Sequence, residues 1–171
     1  MSLRAASYLY ARTLTPGRRL QMATVYLHDR RLCAALAARV ARLALDYVTA
    51  EREVLERAID VTAWWAGGDA DLEGLDAARR HAATAAARAA AEDDRCAWTC
   101  LQAALALSDV AVEPMIDLAA KRARDLVGYV LDAMCWPDVG DEALRARLEA
   151  TLHDDLDERF DETPTKWSAR P

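Results

Sequence analysis

The side chains able to bind a metal or start nucleophilic chemistry are few and scattered. His28, His81 and His153 are the imidazoles, and Cys33, Cys96, Cys100 and Cys135 the thiols. Cys96 and Cys100 stand four apart, which on a helix places both on one face. A structural zinc site needs four such ligands in closely spaced pairs, and a di-iron bundle needs Glu-x-x-His pairs. The chain contains no CxxC, HExxH or ExxH. The cysteines therefore read as reduced, buried small hydrophobes, and no metal or cofactor is expected. Four serines (Ser2, Ser7, Ser108 and Ser168) lie outside any GxSxG turn, and no Gly-rich loop could cradle a phosphate. The carboxylate pairs Asp93-Asp94 and Asp154-Asp155 could serve acid–base chemistry. Both fall where helix caps or solvated faces are expected. No catalytic residue is assigned, and the chain is not expected to be an enzyme.

Two features point instead to recognition. Adjacent helical residues diverge by about 100°, so Trp64 and Trp65 cannot both centre on one buried face. The stripe Val54, Ala58, Val61, Thr62 and Trp65 turns Trp65 inward. Trp64 then lies toward Arg57, a composition common at binding hot spots. Trp98 and Trp136 read as packing residues. The second feature is acidic. Residues 138–164 hold ten acidic and three basic residues. Asp154, Asp155, Asp157 and Glu158 belong to this region and are candidates for steering a basic partner. Residues 1–50 carry eight Arg against Asp29 and Asp46. The two charged ends could therefore also dock on each other.

Helices must position all of these groups. Of 171 residues 38 are Ala, Arg outnumbers Lys by 20 to 2, and 6% are aromatic. These are strong helix formers in a chain poor in strand formers. The fold class expected is all-α, a single bundle of about seven helices over residues 1–162, with a frayed tail at 163–171. A short first helix is predicted over 2–13. Thr15-Pro16 opens a segment to about Leu27. Asp29 caps a helix over Arg30–Val48, whose apolar residues Leu32, Leu36, Val40, Leu43 and Tyr47 recur at helical spacing. Glu51–Ala66 follows, closed by Gly67-Gly68. Asp71 starts a helix to about Ala91, and Asp93 or Asp94 another through Leu107. Pro114 sits in the first turn of a helix ending near Trp136-Pro137, and a last one spans roughly Asp141–Phe160. Ten alanines fall between Ala77 and Ala91. That helix has few side-chain anchors and is expected at the close-packed centre, with Arg80, Thr84 and Arg88 as its solvated stripe.

The net charge of −6 argues against nucleic acid as a partner. The uncharged stretch Cys96–Ser108 is far shorter than the roughly 20 residues of a membrane span, so no membrane partner is expected either. The start of the chain has no acidic residue before Asp29, as in organellar transit peptides, but its apolar pattern runs on into the fold. No compact Leu-rich stretch follows Arg4, and the locale expected is cytoplasmic.

From Arg30 to about Leu107 the chain reads RRLCAALAARVARLALDYV, then EREVLERAIDVTAWWAGGDADL, then LDAARRHAATAAARAAAEDDRCAWTCLQAALALS. This stretch resembles the Ala-rich helical immunity-protein domain of bacterial polymorphic-toxin loci. Ala58-Ile59, Trp65, Gly67 and the Asp93-Asp94 turn stand at that domain's signature places. Its Gly-His and Ala-His positions are Cys100-Leu101 and Ala106-Leu107 here. The resemblance implies a protein that binds and neutralises a cognate toxin. The alternative expectation is a helical homo-oligomer with a structural or regulatory role in a bacterial defence or signalling system.

Overall fold

The computed structural model describes residues 14–26 and 29–162. The predicted first helix and the tail from Thr163 lie outside the described residues. Within them the chain is all-α, with seven helices.

Local capping sets most boundaries. Helix α1 (Pro16–Tyr26) opens on Thr15-Pro16, and its first turn lies against Arg124 and Val127 at Gly17. Helix α2 (Arg30–Leu43) is capped by Asp29, which accepts from the Leu32 amide at 2.9 Å. It ends five residues earlier than expected, tightening into a 3₁₀ turn over Ala44–Asp46. Three residues per turn instead of 3.6 rotate the chain off the α-helical stripe. Tyr47, expected on the core face, is 51% exposed, and Val48 is buried in its place. Helix α3 (Arg52–Gly67) ends at Gly68, whose φ of 93° suits a residue without Cβ. There the Asp69 amide donates to Trp64 O at 2.8 Å. Helix α4 (Leu72–Ala91) is capped by Asp71 and helix α5 (Arg95–Val112) by Asp94. Asp93 takes the left-handed turn between them. Helix α6 (Ile116–Cys135) and helix α7 (Glu142–Glu162) complete the chain.

Helix α5 runs five residues past its expected end, through Ser108 and Asp109. Both are buried, and both are satisfied. Ser108 Oγ donates to Ala104 O at 3.1 Å. Asp109, 5% exposed, accepts from Arg79 of α4 at 2.5 Å and pairs with Arg122 of α6 at 3.1 Å. Asp109, past the expected end, ties three helices together.

This helix, not the Ala77–Ala91 segment, takes the centre. It packs against α2, α3, α4 and α6, and Ala103, Ala104, Ala106 and Ala111 let them approach. Helix α4 buries one stripe, Leu75, Ala78, Ala82, Ala85 and Ala89, against α3 and α5. Its outer face, Ala77, Ala83, Ala87 and Ala90, is exposed beside Arg80, Thr84 and Arg88. That arrangement corrects the expected central position. The arginines need water, and a bare Ala face offers too little area to hold a further helix. Helix α1 lies along α6 on the opposite flank. Helix α7 lays Leu148, Leu152 and Leu156 against α1, α2 and α6.

Candidate interaction surfaces

Arg57 and Trp64 are seven residues apart on α3, so they stack on one face about 10 Å apart along the axis. Both are exposed, Trp64 at 54%. Asp60 flanks this face toward α2, where it pairs with Arg42 at 3.0 Å. Val61 flanks it toward α4, packed with Leu75 and Ala78. Trp65 turns inward to the same cluster, with the Arg31 guanidinium 5.3 Å from its ring centre. The Gly68 cap and the anchored Trp65 therefore fix the direction in which Trp64 leaves the surface.

The acidic candidates divide. Asp155 and Asp157 face the chain's own arginines. Arg39 Nε donates to both oxygens of Asp155, at 2.8 and 2.9 Å. Arg19, 1% exposed, donates from Nη2 to Asp157 at 2.7 Å and from Nη1 to His153 Nδ1 at 2.9 Å. His153 Nε2 lies 2.8 Å from Leu14 O. Arginine only donates and a carbonyl only accepts, so Nδ1 is the acceptor and Nε2 carries the proton. Of the two destinations open to the acidic end, docking on the basic N-terminal third engages Asp155 and Asp157. Asp154 points to solvent. Glu158 belongs to α7, but its side chain lies outside the described residues.

Trp98 and Trp136 are more exposed than packing residues, at 36% and 40%. They line an open groove of about 430 Å³ together with Ala90, Asp93, Asp132 and Val139. Trp98 meets Tyr129 edge-on, with ring centres 6.0 Å apart. Asp132 is paired with Arg145 of α7. Asp93 stands 3.8 Å from Arg95, both highly exposed. Sequence spacing could not reveal the groove. Trp98 comes from the first turn of α5 and Trp136 from just past the end of α6. Nor did it reveal the Arg79–Asp109–Arg122 cluster, whose Asp109 carboxylate holds the Arg79 proton more tightly than usual.

Burial governs the cysteines. It pushes the Cys33 thiol up to about 11 and the Cys100 thiol up to about 12. Both are protonated at neutral pH and poor nucleophiles. Cys96 is partly exposed. Among the described residues no group of three or more His, Cys, Asp or Glu side chains could hold a metal ion. None of the described helices is long and apolar enough to cross a membrane. Comparison of the chain with protein-family models, with curated proteins and with solved structures gives no match.

Proposed function

We propose that the chain acts by binding another protein, through the Arg57–Trp64 face of α3. The observation that carries this reading is Trp64 itself. A large indole more than half exposed, beside an arginine and on a rigidly capped helix, matches hot-spot composition and loses little side-chain freedom on binding. In its sharpest form the partner is a cognate bacterial toxin, which the chain neutralises as an immunity-like protein. That form rests on the resemblance of residues 30–107.

Co-expression with the toxin-like product of a neighbouring gene tests it. The expected result is rescue of growth and a stable complex, weakened by roughly 2 kcal/mol or more in Trp64→Ala. Absence of rescue and of binding overturns the toxin reading. Unchanged affinity in Trp64→Ala overturns the assignment of the face. The homo-oligomer alternative predicts a mass in solution above 18.9 kDa with no partner present, and a monomer at micromolar concentration refutes it.

A further inference from the structure

We propose that the groove between the ends of α4 and α6 is a second binding site, which takes an arginine or lysine side chain of a basic partner polypeptide. The inference rests on the protein-binding reading for the source of that side chain, but not on the Arg57–Trp64 face. Helix α3 packs on the start of α4 near Trp64, whereas the groove lies at the end of α4. The stretch of α4 from Leu75 and Ala78 to Ala89 and Ala90 separates the two by about 20 Å along the helix.

Three features select a cation. First, Trp98 and Trp136 present indole surface to one groove, and indole faces attract cations. Second, two helices end there. The C-terminal carbonyls of a helix carry partial negative charge. Helix α6 has no basic residue in its last turn, and the one in α4, Arg88, is held by Glu51 at 2.8 Å. The third helix at the groove, α5, brings its positive end, but Asp94 caps it, accepting from the Ala97 amide at 3.0 Å. Third, Asp93 and Asp132 stand in the lining. Asp93 meets Arg95 at a highly exposed position, and such a pair is worth little and exchanges readily with an incoming guanidinium. Asp132 is held in a partly buried pair with Arg145. An apolar occupant would instead strip water from the carboxylates without replacing it.

The test is a titration with a short synthetic peptide of alternating Arg and Gly, followed through the indole N–H signals. The expected result is movement of the Trp98 and Trp136 signals, with those of Trp64 and Trp65 unchanged. Trp136→Leu should weaken the peptide about tenfold. Asp93→Asn should weaken it about threefold, and it preserves the fold because Asn tolerates the φ of 55° found there. A Glu-for-Arg peptide should not bind. The proposal is overturned if the Trp98 and Trp136 signals do not move, if both variants bind as the parent does, or if the Glu peptide binds equally. None of these results bears on the Trp64 face, which is judged by Trp64→Ala.

Discussion

Asp157→Asn removes the charge that faces Arg19 while keeping the shape of the side chain. The Arg19 side chain has no exposed surface, and its Nη2 lies 2.7 Å from Asp157. Breaking a fully buried pair by removing one partner costs about 3–5 kcal/mol, because the other charge stays buried. Asp157 is 24% exposed, so water already screens part of the attraction. His153 Nδ1 and the His153 carbonyl, at 2.9 and 3.4 Å, still accept from Arg19. The expected loss is therefore about 2–3 kcal/mol. With a urea slope of roughly 2 kcal/mol/M, the unfolding midpoint falls by about 1–1.5 M. Asp154→Asn, at the exposed neighbouring position, should stay within about 0.5 kcal/mol of the parent. The double variant Arg19→Met, Asp157→Asn should be more stable than Asp157→Asn alone, since it removes a buried charge that has lost the Asp157 carboxylate. Urea titration followed by circular dichroism measures all four proteins. A loss in Asp157→Asn no larger than in Asp154→Asn would refute the reasoning, and so would a double variant less stable than the single one.

Thr62 Oγ1 is buried with no hydrogen-bond partner among the described residues. Thr62→Val should raise stability by about 1 kcal/mol, read from the same titration. The raised thiols of Cys33 and Cys100 predict alkaline weakening. The unfolded chain releases these protons near pH 9.0 and the folded one only near 11 and 12. Stability is thus intact below pH 9 and falls above it by about 1.4 kcal/mol per pH unit for each thiol, up to the folded values. Cys33→Ala and Cys100→Ala should each flatten that decline. Iodoacetamide at mildly alkaline pH should modify the partly exposed Cys96 before Cys33, Cys100 and Cys135, as peptide mass mapping would show. Equal labelling of all four would contradict their burial. Asp109→Asn should loosen α4, raising amide exchange in Leu72–Ala91 more than in α1.

What could be read from the sequence follows the range of the interaction involved. Asp29, Asp71 and Asp94 each cap an amide three residues on, and the Gly68 stop acts through residues just before it. Such signals are local, so all seven described helix starts lie within two residues of expectation. The end of α5 was misplaced because what stabilises Asp109 lies 30 residues back and 13 forward in the chain. Tyr47 was misplaced because apolar spacing assumes a constant helical pitch, and the 3₁₀ turn changes it. The Ala-rich segment shows a different limit. Composition revealed that close approach was possible on several sides, but only the neighbours decide which sides are used. Among the site residues, Arg57 and Trp64 could be placed together because they share a helix. The Trp98–Trp136 groove is made by two helix ends and exists only in the assembled bundle.

The pairs that fasten α7 join residues far apart in order of synthesis, Arg19 and Asp157 being separated by 138 in the sequence and Arg39 and Asp155 by 116. A ribosome emits both arginines long before it makes either carboxylate. While α2 to α6 assemble, neither carboxylate of these pairs has yet been made, so Arg19 and Arg39 meet them only when α7 docks. Closing so long a loop carries an entropic cost that only the finished helix can offset. Helix α7 is in this sense a latch, and the bundle closes only once α7 has been made.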